Sequence, residues 1–177
     1  PSSNVLRYPF ELTKKNQVLQ FTSPRTRHLK DGLVYMFLLV VTRHSMDAKK
    51  RLHAKIDPTF VFERLCSEVL LQFWGGHDGR CGAAIIGTSG RKDGHGRFPD
   101  AIDSLCSSLR EGGGWSTTAR SPKGGDGGLD LAVWRQFADG QPGRLVGFAQ
   151  CKTGVNWRRD LSKLRPRAFC SNYTSRG

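Results

Sequence analysis

Gly124-Gly125-Asp126-Gly127-Gly128-Leu129-Asp130-Leu131-Ala132-Val133-Trp134, followed after a short loop by Leu145-Val146-Gly147-Phe148-Ala149-Gln150-Cys151-Lys152, is the stretch that decides how this chain folds. The two apolar runs flank Phe137-Ala138-Asp139-Gly140-Gln141-Pro142-Gly143, which is rich in the residues that hairpin turns require. Side chains alternate along a strand, so Leu129, Leu131 and Val133 are expected on one face and Asp130 on the other. On the second run Gln150 and Lys152 share a face with Val146 and Phe148. A loop closed symmetrically about Gly140 brings Asp130 opposite Gln150. A slip of one residue moves one set to the wrong face, and the sequence leaves that register open.

Three polar groups at the end of two apolar strands are costly to bury unless they are paired or bind a metal. Mg²⁺ takes hard oxygen ligands, few of them from protein. The Asp130 carboxylate is the main ligand expected, with the Gln150 amide carbonyl as a second. A metal so held polarises a phosphate and lowers the pKa of a bound water. A lysine ammonium such as that of Lys152 orients the nucleophile or stabilises charge developing on phosphorus. Singly, an Asp at a strand edge and a Lys at a strand end are ordinary solvated residues; the inference rests on their combination.

Working outward, Asp57-Pro58 opens a helix, with Asp57 as N-cap and Pro58 at the first helical position. Its apolar stripe is Phe62, Leu65, Cys66, Val69 and Phe73, and Gly75-Gly76 stops it. Cys81–Thr88 reads as a short strand, and Pro99-Asp100 starts a second helix whose stripe is Ile102, Leu105, Cys106 and Leu109. A strand at Trp115–Ala119 precedes strands at Leu129–Gln136 and Arg144–Lys152, and a last amphipathic helix is expected around Trp157–Leu164. This order predicts an α/β (α+β) fold with a mixed central sheet flanked by helices. Residues 1–56 read as a basic N-terminal extension and 57–177 as the main domain. Within the extension a short strand is expected near Val18–Phe21, and Leu33–Thr42 is read as a helix because Met, Leu, Phe and Tyr outnumber β-branched residues there.

The 177 residues carry 28 Lys plus Arg against 15 Asp plus Glu, a net charge of +13. Folding needs no such excess, which points to a polyanionic partner, nucleic acid first. Arg158, Arg159, Lys163, Arg165 and Arg167 follow directly on the hairpin and are placed either to grip a DNA backbone or to form a solvated helix face. Trp134 and Trp157 suit base stacking, although packing is the commoner use of such a residue. The five scattered cysteines (Cys66, Cys81, Cys106, Cys151 and Cys170) form no C-x-x-C pair and fit a reducing cytoplasm better than a disulfide framework or zinc site. Leu33–Val41, the longest apolar run, is about half of what a bilayer span needs, so no membrane role is expected. Gly87-Thr88-Ser89-Gly90-Arg91-Lys92 lacks the spacing of a phosphate-binding loop, and no G-x-S-x-G elbow or Cys/His signature is present. His28, His44, His53, His77 and His95 stand apart from one another. A start at Pro1 and an end at Gly177 agree with a piece of a longer protein.

Gly125-Asp126-Gly127-Gly128-Leu129-Asp130 and Gln150-Cys151-Lys152 resemble the G-D-G-G-(I/V/L)-D strand and Q-x-K of the PD-(D/E)XK nuclease superfamily. The likeness is to its branch of methyl-directed type IV restriction enzymes and related phage-defence nucleases. Phe62-Glu63-Arg64-Leu65 is similar to the F-E-x-L of that branch's first helix. The resemblance spans about residues 57–157 and implies a restriction-endonuclease-like fold and an Mg²⁺-dependent (or Mn²⁺-dependent) DNA endonuclease. It implies a place in a bacterial defence or restriction system, with protein partners or further domains. By it Asp130 is the central metal ligand, Gln150 stands at the (D/E) position, Lys152 is the catalytic lysine and Glu63 completes the site. Gln150 is neutral, which removes one carboxylate. The long insertion after Gly75 leaves Glu68, Asp103 and Glu111 as alternatives to Glu63. Asp126 is read as either a loop-stabilising turn residue or a catalytic acid. The competing expectation is a catalytically inactive member of the same fold that binds nucleic acid or a partner protein.

Overall fold

The computed structural model describes residues 10–12, 19–21, 26–43, 57–87, 96–110, 112–120, 122, 127–141, 143–153, 157–160 and 163–175. Asp126, Glu111, His44, His53, His95 and most of the segment 87–92 lie outside them. The chain forms two compact units, 1–45 and 46–177. In the first, strands β1 (Phe10–Leu12) and β2 (Leu19–Phe21) pair antiparallel, and helix α1 follows at Thr26–Arg43. The helix begins seven residues before the expected Leu33, within the part read as polar extension. Among the described residues no helix is long and apolar enough to cross a membrane.

The second unit is mixed α plus β. Helix α2 (Pro58–Phe73) starts as the sequence requires: the Asp57 side chain accepts from the Thr59 N–H at 3.0 Å, and Pro58 occupies the first turn. It stops where Gly75 turns left-handed at φ 85°. Strand β3 (Cys81–Ile85), helix α3 (Phe98–Leu109) and the short β4 (Gly114–Trp115) lead to the hairpin, β5 (Leu131–Gln136) and β6 (Arg144–Ala149). Helix α4 (Pro166–Tyr173) and β7 (Thr174–Ser175) complete the unit. The main sheet has the order β3-β5-β6, and β4 pairs with β7. Every pairing among the described residues is antiparallel, where a mixed sheet was expected. The hairpin joins β5 to β6 directly, whereas a parallel pair needs a crossover.

The hairpin register is the symmetric one. Leu131 pairs with Ala149 and Gln136 with Arg144, centred on Gly140, which takes φ 72° in the turn. Beyond the last pair the Asp130 N–H donates at 3.2 Å to the carbonyl of Ala149, already the partner of Leu131, so the regular ladder ends there.

The two sheet faces are packed differently. Ile86, Phe98, Ala101, Ile102, Leu105, Leu129, Ala132 and Phe169 form one buried cluster joining α3 and α4 to the sheet. Edge-to-face rings extend it, with Phe98 to Trp115 at 5.6 Å and Phe148 to Phe169 at 5.6 Å. On the other face α2 packs against β3 and β5. Gly147 has no side chain because the Trp74 ring occupies that space. Arg135 of β5 donates to the Trp74 and Gly75 carbonyls and pairs with Asp78 at 2.6 Å, fastening the end of α2 to the sheet.

Three expectations need correction. The stripe assigned to α2 is buried only in part: Phe62, Leu65 and Cys66 are half-buried, Val69 is 59% and Phe73 84% exposed, and the fully buried residue is Glu63. The last helix is not at Trp157–Leu164; those residues begin with a 3₁₀ turn, Trp157–Asp160, and the α-helix starts at Pro166. Arg165-Pro166 explains the shift, because the residue before a proline avoids helical geometry and proline suits a first turn. The strand at Trp115–Ala119 shrinks to Gly114–Trp115, the pair that meets β7.

Candidate active site

Asp130 stands one residue before β5, where alternation breaks. Leu129 joins the α3 cluster with Ala132, while Leu131 and Val133 do not, so Leu129 and Leu131 are not on one face as expected. A β-bulge accounts for the break: Leu131 pairs with Ala149 and the Asp130 N–H donates to the Ala149 carbonyl as well, while the N–H groups of Ile86 and Gly87 both donate to the Asp130 carbonyl, at 2.8 and 3.1 Å. Two residues thus oppose one, and the Asp130 side chain is re-aimed towards the end of β6.

There its carboxylate, on a residue only 5% exposed, accepts from the Cys151 N–H at 2.6 Å and faces the Lys152 ammonium at 3.6 Å. That last separation is an ion pair rather than a hydrogen bond. Asp130 and Lys152 are therefore adjacent. Glu63, 4% exposed, approaches from α2. A Cβ on Gly87 would lie 3.1 Å from both of its carboxylate oxygens, so only glycine lets the acid sit this close to the bulge. Gly87 thus touches both residues: its N–H donates to the Asp130 backbone carbonyl, and its missing side chain leaves room for the Glu63 carboxylate. Gln150 turns its amide nitrogen to the Gly128 carbonyl at 2.6 Å, which leaves only the amide oxygen suited to a cation.

The other candidate acids separate by position. Glu68 is exposed, and the Asp103 carboxylate accepts from the Trp115 N–H at 2.6 Å, holding β4 to α3. Glu63 is the buried acid beside Asp130. Arg158, Arg159, Lys163, Arg165 and Arg167 are all exposed, on the 3₁₀ turn and around the start of α4.

Sequence reasoning missed two participants. The Cys66 and Cys151 thiols hydrogen-bond to each other beside both carboxylates. That bond, then burial, then the negative charge of Asp130 and Glu63 push the Cys151 thiol far up, so it stays protonated. The Cys at the centre of Gln150-Cys151-Lys152 was a visible clue, because it stands between the two polar residues expected at the site. Gly87 was the second omission. An isolated glycine closing the Cys81–Ile85 run is a usual mark of a bulge or a close approach.

Among the described residues no group of three or more His, Cys, Asp or Glu is arranged to hold a metal ion. Glu63, Asp130 and the Gln150 amide oxygen make a sparser set, of two carboxylates and one neutral oxygen. Such a donor set suits Mg²⁺, which keeps several waters and takes few protein ligands. It does not suit zinc, which favours nitrogen and sulfur.

No family model, curated protein or solved structure matches the chain.

Proposed function

We propose that this chain is a metal-dependent DNA endonuclease of restriction-endonuclease-like fold, the effector part of a bacterial defence or restriction system. The observation that carries the proposal is the meeting of Asp130 and Lys152 at 3.6 Å beside the buried Glu63. A helix carrying an acid, an antiparallel meander, and an Asp and a Q-x-K at the ends of its last two strands support the PD-(D/E)XK resemblance. Asp130, Glu63 and the Gln150 oxygen would hold Mg²⁺ or Mn²⁺. When bound, that ion supplies Lewis-acid polarisation of the phosphate and a more acidic water. Lys152 places a positive charge where negative charge builds on the phosphoryl group. The five exposed cations after the hairpin hold the DNA backbone, which makes binding steeply salt-dependent. Protein partners or further domains supply the trigger, and the setting is the reducing cytoplasm.

Purified protein incubated with plasmid and Mg²⁺ or Mn²⁺ is expected to cut, and EDTA to stop it. Asp130→Ala and Lys152→Ala are expected to abolish cutting while DNA binding in a gel-shift assay persists. Undiminished cutting by both variants would rule out this site.

One observation favours the inactive alternative. The polar groups satisfy one another, since Asp130 takes the Cys151 N–H and Lys152 while Gln150 takes the Gly128 carbonyl. Such a network needs no cation to be stable. DNA binding without cutting under every metal condition is the outcome that selects this reading.

A further inference from the structure

Next to Lys152 opens a cleft of about 460 Å³, walled by Phe62 of α2, Phe148 of β6, Trp157 of the 3₁₀ turn and Leu164, with Gln150 and Lys152 as its polar groups. Phe148 is fixed from behind by its edge contact with Phe169. Trp157 is at the rim, 39% exposed, with the Arg158 guanidinium 5.3 Å over its ring. Aromatic surface left in water beside cations is the usual make-up of a platform for unstacked bases. A second cleft, about 560 Å³, shares no residue with this one. The tryptophan there, Trp134, has its indole packed on Gly82, where a Cβ would collide with it. Of the two tryptophans suited to stacking by sequence, Trp157 is the one with a face to offer.

A cleft walled by aromatic and aliphatic side chains, with one amide and one ammonium, fits a nucleobase, whose faces are aromatic and whose rim carries polar groups. Bases within a duplex are stacked and paired, so one must be unpaired to enter. Resting on the nuclease reading above, we propose that this cleft binds an unpaired base whose phosphate lies at Lys152. The preferred substrate is therefore a single-stranded or locally unpaired DNA segment.

The test is binding by the full chain in EDTA, read by tryptophan fluorescence and anisotropy, so that no cutting occurs. A short oligodeoxythymidylate is compared with an abasic deoxyribose-phosphate strand of the same length and with a duplex. The base-bearing single strand is expected to quench fluorescence and to bind tighter than the abasic strand by on the order of tenfold. Trp157→Ala is expected to remove that advantage and Trp157→Phe to restore most of it, with unchanged far-ultraviolet circular dichroism. Equal affinity for base-bearing and abasic strands, or an advantage that survives Trp157→Ala, overturns the proposal. If cutting persists in Mg²⁺ while base preference is absent, the cleft proposal alone falls. If base preference is present and no metal supports cutting, the nuclease reading falls and the cleft stands as a nucleobase site.

Discussion

Helices α2 and α3 begin alike, each with a proline in the first turn and an apolar stripe behind it, yet they do opposite things. Helix α3 buries Phe98, Ala101, Ile102, Leu105 and Cys106. Helix α2 leaves Val69 and Phe73 in water and buries a glutamate. Apolar burial stabilises at about 25 cal/mol per Å², whereas a buried charge is a cost unless it is paired or bound. A helix whose best-buried residue is an acid thus gains little stability from that burial, and one that buries its stripe is placed for stability. Arg135, tied to Trp74, Gly75 and Asp78, provides on the α2 side part of the anchoring that packing provides for α3.

The sharpest way to break this contrast is at the hairpin. Asp130→Ala or Lys152→Ala is expected to lower plasmid cutting at least a thousandfold, about 4 kcal/mol of barrier, with a gel-shift affinity close to wild type. On the opposite face Ile102→Ala is expected to cost about 2–5 kcal/mol in urea unfolding through the cavity it leaves. A loss under about 1 kcal/mol would mean that α3 is not the stabilising helix. Glu63→Gln separates the two roles within α2. Cutting is expected to fall on the order of a hundredfold, about 2.7 kcal/mol, with the melting temperature unchanged or raised. A large drop in melting temperature with cutting intact would make Glu63 structural.

The register of the hairpin was legible because its turn residues centre the loop on Gly140, and the pairing so predicted holds as far as Leu131 and Ala149. The identity of the buried acid was also within reach, since Glu63 follows Phe62 on the first helix. What periodicity hid was the direction in which α2 faces. Phe62, Cys66, Val69 and Phe73 form a valid helical stripe, and a charged residue on the buried side counts against burial in any hydrophobicity argument. The break at Leu129 was hidden for a different reason. It comes from a bulge in which Asp130 and Leu131 both face Ala149, and the apolar pattern of Leu129–Val133 carries no trace of that. The start of α4 was readable from Arg165-Pro166 and was lost to the cationic run before it.

Smaller effects sharpen the picture further. Phe73→Ser, at a position 84% exposed, is expected to change unfolding free energy by less than about 0.5 kcal/mol. At Asp78, hydrogen bonds from Arg80 first and then Arg135 hold the carboxyl down to about 2 from its usual 3.8. A depressed carboxylate contributes stability above its unfolded pKa and loses it as pH falls through the folded one. Asp78→Asn is therefore expected to lower the melting temperature slightly at neutral pH. The difference from wild type should shrink below pH 3.8 and be nearly gone at about 2, and salt should reduce it throughout. A difference that persists at the acid end would show that the side chain acts there through something other than its charge.

The most direct measurement is anomalous X-ray scattering from crystals soaked in Mn²⁺. One peak in coordinating contact with the Asp130 carboxylate, with Glu63 on its other side, and absent from Asp130→Asn crystals, is what a shared cation at the bulge predicts. No peak there at saturating Mn²⁺, with Lys152 still closed on Asp130, would contradict it.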